Sequence, residues 1–538
     1  MRGVVAAGHP LTAEAGAEVL RAGGNAVDAA VCAVLTSFAV ESPLTGFGAG
    51  GFMLVHRPAG SSAHRPAGSS ASRPGPAGAL PGSPESVLID FFVEAPGREG
   101  TEPAEALLPI DVYFDQTPQT FNVGPASCGV PGTAAGLAHA LERFGTMPMQ
   151  ELIKPAVGYA RDGVLLNRQQ AYIFHILDPI LTHFEESRAL YAPQGRILRE
   201  GETFRFPELA DALERYASEG PAPFYSGAVG EKVADWVSER GGTLSRADMA
   251  AYGAIEREPV RAAYRGTTVL TNPPPSSGGI LIALSLDLLD RLGASGVEEL
   301  VSAMRAANEQ RGEEFSAGLY EDGYLERFLE PARVERIAER IRTGSPGGEE
   351  GQGEALGSTT HLSVIDADGA CAACTCSNGS GSGVLVPATG VHVNNMLGEE
   401  DLNPLGFHRT PPGKRMPSMM APTVVLREGE VSAALGSAGS NRIRSAILQT
   451  IIRLIDEGLE PGPAIEAGRI HFEAGVVQAE PGVDEDGLAA VEEHGTPVVR
   501  WQRPNLYFGG VQAAARDREG RLSGGGDPRR GGAVVVVD

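Results

Sequence analysis

Residues 343–376 read TGSPGGEEGQGEALGSTTHLSVIDADGACAACTC, and this stretch joins two segments of opposite character. The first part, 343–357, is rich in glycine and acidic residues and lacks apolar periodicity, which is typical of a flexible chain. From Ser358 and Thr359 onward, apolar and polar residues alternate as they do in a half-buried β-strand. The sequence therefore predicts a flexible tail that leads directly into a core strand.

The hydroxyl group of Thr359, at this junction, can become a nucleophile if the chain itself supplies a base. Threonine reacts slowly until a base removes its proton, and the chain contains no G-x-S-x-G, H-E-x-x-H or S-x-x-K motif. If the chain is cut before Thr359, the new α-amine, with an ordinary pKa of about 8, is a base within reach. On the residues alone, a Thr-Thr pair before a strand is more often ordinary β-branched strand sequence.

The chain is strongly acidic, with a formal net charge of −24 over 538 residues and a pI of about 4.9. Such a surface repels phosphate backbones and anionic lipid, so nucleic acids and membrane surfaces are poor partners. The N-terminal residues lack the apolar region of a secretory signal, and no apolar stretch of 18 residues occurs. We therefore expect a cytoplasmic protein.

Five cysteines, three of them clustered at Cys371, Cys374 and Cys376, invite comparison with a metal site. On a strand, however, Cys374 and Cys376 share one face while Cys371 points to the other. The spacing also lacks the second ligand pair of a zinc module. Reduced, buried thiols and no metal are the favoured interpretation, with a zinc-binding module as a weaker alternative.

The rest of the chain mixes helical and strand patterns, which predicts an α+β or layered α/β class. A duplicated HRPAGSSA marks residues 57–85 as a disordered insertion in a hairpin, between the apolar runs GGFMLVH and SVLIDFFVE. Asn25 is expected to cap a helix that is buried all round. Further helices are predicted at Glu151–Gly163, Glu231–Arg240, Leu281–Leu292 and Ser445–Glu457, and strands at Thr268–Thr271, Val384–Val386, Thr423–Leu426, Ser432–Leu435 and Val511–Asp517.

Several blocks, in order along nearly the whole chain, resemble the γ-glutamyltranspeptidase family of N-terminal-nucleophile hydrolases. The segment GSTTHLSV at the junction is similar to the family's processing site, where T-T-H-x-S-V opens the small subunit. The other blocks are GGNAVDAAVCAVLTSFAVESPLTGFGAGGFMLVH (23–56), GVPGTAAGLAHALERFG (129–145), PFYSGAVGEKVADWVSERGGTLSRADMAAYGAIEREPV (223–260), YRGTTVLTNPPPSSGG (264–279), RMPSMMAPTVV (415–425), LGSAGSNRI (435–443) and SGGGDPRRGG (523–532).

This resemblance implies a four-layer αββα sandwich and self-cleavage between Ser358 and Thr359. The products would be a large chain, 1–358, and a small catalytic chain, 359–538, that stay together as a heterodimer. By the same resemblance, Thr359 is the nucleophile and new N-terminus, and Ser377 supplies a hydroxyl that contacts it. Gly439 and Ser440 correspond to a glycine pair whose backbone N–H groups form the oxyanion hole. No cofactor is implied.

The substrate pocket departs from the family pattern. In DFFVEAPG, Phe92 stands where the family has an arginine that grips the α-carboxylate of a γ-glutamyl group. Ser418 is retained from a carboxylate-binding serine pair, but its partner is Met419. We note Arg98, Arg409 and Arg415 as cations that can approach from another direction.

The α-amine end of the pocket is also changed. Gly379 takes the position of a family asparagine, and Met396 that of an amide or acid. Glu399 corresponds to the amine-binding acid and keeps its charge, although a solvated loop glutamate is the ordinary alternative.

Three functions follow from this resemblance and its departures. The first is a γ-glutamyltransferase or glutathione hydrolase that cleaves γ-glutamyl amides through a Thr359 acyl-enzyme. The second is a family acylase or amidase with the same mechanism and a different acyl group, which the apolar Phe92, Met396 and Met419 favour. The third is an uncleaved binding or scaffold protein, against which the intact Ser358–Thr359 junction argues.

Overall fold

The computed structural model describes residues 2–60, 83–100, 102–114, 117–344 and 358–538. Most of the predicted insertion (57–85) and of the predicted tail (343–357) lies outside the described residues. The strands that flank the insertion pair with each other, with Arg57 opposite Glu85, so the expected hairpin is confirmed.

Two antiparallel β-sheets form the centre of the molecule. The strands, numbered in chain order, are β1 (Gly3–Ala7), β2 (Gly50–Arg57), β3 (Glu85–Phe91), β4 (Leu108–Phe114), β5 (Thr117–Val123), β6 (Val164–Leu165), β7 (Thr203–Phe204), β8 (Ile255–Arg257), β9 (Val260–Tyr264), β10 (Thr267–Thr271), β11 (Ser358–Asp366), β12 (Cys371–Gly379), β13 (Leu385–Val386), β14 (Val391–His392), β15 (Thr423–Arg427), β16 (Glu430–Ala438), β17 (Ile470–Glu473), β18 (Val476–Ala479), β19 (Val498–Arg500), β20 (Gly510–Arg516), β21 (Leu522–Gly526) and β22 (Ala533–Val537). The seven-stranded sheet has the order β22-β1-β11-β12-β2-β3-β8, and the six-stranded sheet has the order β21-β20-β16-β15-β10-β9.

Helices cover the outer faces of both sheets. The α-helices are α1 (Pro10–Arg21), α2 (Ala26–Val40), α3 (Thr133–Phe144), α4 (Met149–Leu152), α5 (Lys154–Asp162), α6 (Arg168–Leu181), α7 (Glu185–Tyr191), α8 (Pro207–Glu219), α9 (Ala228–Ser238), α10 (Arg246–Ala251), α11 (Gly278–Leu292), α12 (Val297–Asn308), α13 (Glu313–Gly318), α14 (Tyr324–Phe328), α15 (Pro331–Arg342), α16 (Arg442–Ile455), α17 (Pro461–Glu466) and α18 (Glu485–Glu493). Short 3₁₀ helices occur at Pro125–Ser127, Ala222–Phe224, Met396–Gly398, Glu400–Leu402, Leu506–Phe508 and Pro528–Arg530.

The layers stack in the order helix, sheet, sheet, helix. Helices α1 and α2 pack on the seven-stranded sheet, α11 and α16 pack on the six-stranded sheet, and β11 and β12 face β16 and β20 between them. The predicted four-layer αββα sandwich is therefore confirmed. Such stacking buries both faces of each sheet. Within the described ranges, no helix has the length and apolar character needed to cross a membrane.

Local sequence signals account for many of these elements. All 15 residues of α2 are buried, and Asn25 caps it by accepting from the backbone N–H groups of Val27 and Asp28. The predicted helices and strands are all present, with ends shifted by a few residues. The predicted helix Glu151–Gly163 is divided into α4 and α5, and the other three predicted helices are α9, α11 and α16. The five predicted strands are β10, β13, β15, β16 and β20.

The cysteines of β12 divide between two cores, as strand geometry predicts. Cys374 and Cys376 pack in the core on the helical side of the seven-stranded sheet, and Cys371 packs in the core between the sheets. Burial raises the pKa of each thiol above its usual range. In the part of the chain that the structure describes, no three His, Cys, Asp or Glu residues form a group that could hold a metal ion.

Candidate active site

Thr359 lies at the start of β11, a central strand of the seven-stranded sheet. It pairs with Ser377 of β12, and the register shifts between Ser358 and Thr359, which leaves one extra residue in β12. Thr359 Oγ1 donates a hydrogen bond of 3.2 Å to Ser377 Oγ, which also accepts from the backbone N–H of Gly379 at 2.9 Å. Both residues are buried. The bulge aims the predicted nucleophile and its predicted hydroxyl partner at each other.

A buried acid on the helical side anchors the same strand. Thr360 Oγ1 donates to Glu41 Oε2 at 2.7 Å, and Thr12 Oγ1 donates to Glu41 Oε1 at 2.8 Å. Burial raises the pKa of Glu41, while these two hydrogen bonds oppose the rise. Sequence reasoning missed Glu41, because its partner lies 319 residues away and no local pattern marks it.

Thr359 lines a small cavity in the described part of the chain. Eight other residues that the sequence singled out also line the cavity: Phe92, Ser377, Gly379, Met396, Glu399, Ser418, Met419 and Ser440. The remaining lining residues are Asp401, Leu402, Met420 and Ile443. Predicted catalytic and substrate-binding residues from both ends of the chain therefore meet in one place.

The predicted oxyanion turn lies between β16 and the buried helix α16. Gly439 has φ +120°, and an added Cβ would lie 2.8 Å from Gly509 Cα, so this position requires glycine. Ser440 has φ +52°, a left-handed conformation that costs a residue with a side chain roughly 1–2 kcal/mol. The N-terminus of α16 follows at once, and its partial positive charge favours an anion at this turn.

Two carboxyl groups line the cavity from the segment after β14, those of the buried Glu399 and the half-buried Asp401. Glu399 Oε1 accepts from the backbone N–H of Ser380 at 3.1 Å and from Asn395 Nδ2 at 3.0 Å. Asp401 Oδ2 accepts from Ser440 Oγ at 2.8 Å. Burial, reinforced by the negative Asp401, raises the pKa of Glu399 to about 8, and burial also raises the pKa of Asp401. Glu399 is thus a pocket residue and not a solvated loop glutamate.

Asn395 lies beside Gly379 and supplies a side-chain amide at this end of the pocket. Gly379 has φ +70°, and an added Cβ would lie 2.0 Å from Asn395 Oδ1. No side chain fits at residue 379, and the amide that bonds Glu399 comes from Asn395 instead. Asn395 is not among the predicted site residues, although it directly precedes Met396.

The carboxylate end of the pocket is apolar or already hydrogen-bonded. Phe92 is buried and stacks on Phe52 with ring centroids 5.3 Å apart. Ser418 Oγ accepts from the backbone N–H of Met420 at 3.0 Å, and Met419 Sδ accepts from Ser277 Oγ at 3.4 Å. At position 92, the cavity is therefore lined by an aromatic ring in place of the cation that the family pattern predicts.

None of the three arginines considered as substitutes lines this cavity. Arg415 is buried against Glu94, at 2.6 Å, and Asp90, and its guanidinium stacks on Tyr252. Arg98 pairs with Glu94 and Asp248, at 2.8 and 3.3 Å. Arg409 is exposed. The suggestion that one of them supplies the missing charge is wrong for this arrangement, because internal acids hold Arg98 and Arg415 elsewhere.

Comparisons with known proteins agree with this fold. The family model Gamma-glutamyltranspeptidase matches residues 12–71 and 96–537. The Acylase ACY 1 proenzyme of Pseudomonas sp. (strain SE83) is 32% identical over 555 residues, covering 100% of this chain and 94% of the relative. The Glutathione hydrolase proenzyme of Escherichia coli (strain K12) is 30% identical, covering 98% of this chain and 90% of the relative.

Among solved structures, the cephalosporin acylase from Bacillus halodurans superposes with a TM-score of 0.82 and 25% identity, covering 99% of this chain and 95% of that one. The family match spans most of the chain, and relatives at 30% identity or more cover nearly all of it. This chain therefore belongs to the γ-glutamyltranspeptidase family, an enzyme family in which its relatives are named as glutathione hydrolases and as acylases.

Proposed function

We propose that this chain cleaves itself between Ser358 and Thr359 and then cleaves amide bonds through an acyl-enzyme on Thr359. The contact that carries this proposal joins Thr359 Oγ1 to Ser377 Oγ over 3.2 Å, at the mouth of the cavity that Ser440 also lines. A nucleophilic hydroxyl, a hydroxyl partner and a turn suited to an oxyanion are the components that acyl transfer requires.

Once the chain is cleaved, the base for substrate turnover is the α-amine that cleavage frees on Thr359. The nearest histidine in the strand, His361, is enclosed between Thr375 and Ser363, and burial lowers its pKa to about 3. The amine takes the proton of Oγ1 as the oxygen attacks the substrate carbonyl. The C–N bond then breaks, the proton leaves with the amine product, and water or a second amine opens the ester.

Cleavage would divide the chain into 1–358 and 359–538 without separating the two parts. In the seven-stranded sheet, β1 of the first part lies between β22 and β11 of the second, and β2 pairs with β12. In the six-stranded sheet, β10 pairs with β15. Shared hydrogen-bond ladders in both sheets support a stable heterodimer.

The intact mass of the purified protein, followed over time, tests self-cleavage. We expect fragments of about 37 and 19 kDa, in proportion to 358 and 180 of the 538 residues in the 56.0 kDa chain, with Thr359 as the new N-terminus. Co-elution of the fragments from a sizing column would confirm the heterodimer. A 56.0 kDa chain that stays uncleaved for days would favour the binding or scaffold alternative.

Two acyl groups remain candidates, the γ-glutamyl group and an acylase-type group without an α-carboxylate, and the lack of a cation among the residues that line the cavity favours the second. Over the described ranges, its only acidic or basic lining residues are Glu399 and Asp401, and a bound ammonium group would favour the ionised form of both carboxyls. An α-carboxylate bound beside Phe92 would lose its hydration without gaining a cation, which is costly. An amino group would instead meet Glu399, as it would in a γ-glutamyl substrate.

A panel of four 4-nitroanilides separates these candidates. The γ-glutamyl amide carries both charges, glutaryl only the carboxylate, 4-aminobutanoyl only the ammonium, and butanoyl neither. We expect kcat/KM for 4-aminobutanoyl to exceed that for glutaryl by at least about tenfold, which corresponds to about 1.4 kcal/mol. Preferential turnover of the γ-glutamyl amide would instead identify a glutathione hydrolase-type specificity.

A further inference from the structure

Ser440 has a side chain at a backbone conformation that favours glycine. Its φ of +52° follows the +120° of Gly439, and the two residues form the turn that enters α16. Nothing in the backbone alone keeps a serine in the left-handed region, because its Cβ crowds the following carbonyl. A contact from outside the turn has to stabilise this geometry.

That contact comes from Asp401, in the 3₁₀ helix Glu400–Leu402. Ser440 Oγ donates to Asp401 Oδ2 at 2.8 Å across 39 residues of sequence. The next residue is held in the same way, because Asn441 Nδ2 donates to Glu473 Oε1 at 3.2 Å. Arg311 in turn donates to Glu473 Oε1 at 2.9 Å and to Asn441 Oδ1 at 3.4 Å. Two acids from separate elements therefore fix consecutive side chains of the turn.

We propose that Asp401 is a positioning residue, which holds Ser440 in its left-handed conformation so that the backbone N–H groups of the turn face the oxyanion. This inference rests on the proposed Thr359 chemistry and assigns Asp401 a role that does not require substrate contact. To accept the hydrogen bond from the Ser440 hydroxyl, residue 401 needs an oxygen atom but no charge. Burial raises the pKa of Asp401, and a protonated carboxyl still accepts this hydrogen bond through its carbonyl oxygen.

This role predicts that Asp401 matters only while residue 440 carries a side chain. Asp401→Ala removes the acceptor, and Asp401→Asn keeps an oxygen in the same place. With 4-nitrophenyl acetate, whose acetyl group is too small to need the far pocket, we expect Asp401→Ala to lower kcat about tenfold, or about 1.4 kcal/mol. Asp401→Asn should lower it less than about threefold, with little change in KM for either variant.

The decisive comparison repeats Asp401→Ala in a Ser440→Gly background. Glycine adopts the left-handed region without an anchor, so the loss of kcat caused by Asp401→Ala should fall below about twofold there. An equal loss in both backgrounds would overturn the proposal. So would an equal loss of kcat from Asp401→Asn and Asp401→Ala, since that result indicates that the carboxyl group itself is needed and not an oxygen that accepts from Ser440.

Two controls distinguish a failure of the positioning role from a failure of the Thr359 mechanism. Thr359→Ala serves as the blank, and wild-type protein with no activity above this blank would refute the Thr359 chemistry itself. If Asp401→Ala prevents maturation, the rate of self-cleavage replaces kcat as the measurement. Restoration of cleavage by Ser440→Gly is then the expected result, and failure to restore it in a folded protein would overturn the positioning role.

Discussion

A Thr359→Ala protein is expected to remain a single chain of 56.0 kDa and to release no product from any amide. The substitution removes the only atom that can attack Ser358 or a substrate carbonyl in the proposed scheme. Loss of a catalytic nucleophile lowers kcat by about 10⁶ in well-studied hydrolases, so turnover should fall below detection. Intact mass and 4-nitroaniline release measure the two effects.

Thr359→Ser is the matched control, because it keeps the hydroxyl and changes only a methyl group. This variant should still cleave, more slowly, and form an acyl-enzyme. The Thr359→Ala protein should keep the wild-type circular dichroism spectrum, since Thr359 Oγ1 has a single proton to donate, which it donates to Ser377 Oγ. Cleavage at Ser358–Thr359 in Thr359→Ala would contradict the mechanism.

The second large effect concerns Phe92→Arg, which should create a cation that binds the α-carboxylate of a substrate. Hydrogen bonds to a charged group contribute about 1.5–3 kcal/mol. We therefore expect Phe92→Arg to raise kcat/KM for γ-glutamyl-4-nitroanilide by about tenfold to a hundredfold. The same change should lower kcat/KM for the 4-aminobutanoyl amide, because the new cation repels its ammonium group.

Phe92→Leu separates the effect of charge from the loss of the ring that stacks on Phe52. It should leave the ratio of γ-glutamyl to 4-aminobutanoyl turnover nearly constant, while Phe92→Arg inverts it. A thermal melt of each variant checks that the buried arginine is tolerated. If Phe92→Arg folds and the ratio does not move, Phe92 is not the residue that sets acyl specificity.

Local patterns were sufficient for the elements and for the ordered motif blocks. The cap at Asn25, the alternation that begins at Thr359 and the opposite faces of Cys371 and Cys374 are properties of neighbouring residues. Because periods of 3.6 and 2 residues are local, such features can be predicted from the chain alone. The family blocks then indicated the sandwich and the pairing of Thr359 with Ser377.

Contacts between distant residues decided the rest of the site. Sequence alone did not predict that Asp401 accepts from Ser440, that Glu41 anchors Thr360, or that Asn395 supplies the amide missing at Gly379. The contacts of Asp401 and Glu41 join polar groups 39 and 319 residues apart in the sequence, and the fold places Asn395 against Gly379. A buried polar group must find a partner wherever the fold provides one.

The sequence by itself therefore determined the family and the layered fold, and it led to the proposal of Thr359 as the nucleophile, because ordered motifs and local periodicity carry that information. Only the tertiary structure decided the charge of the pocket. Arg98 and Arg415 form ion pairs with Glu94. Glu399 and Asp401 line a cavity whose other walls are largely apolar. The partner of a charged side chain depends on which elements pack together, and no local spacing in the chain records that choice.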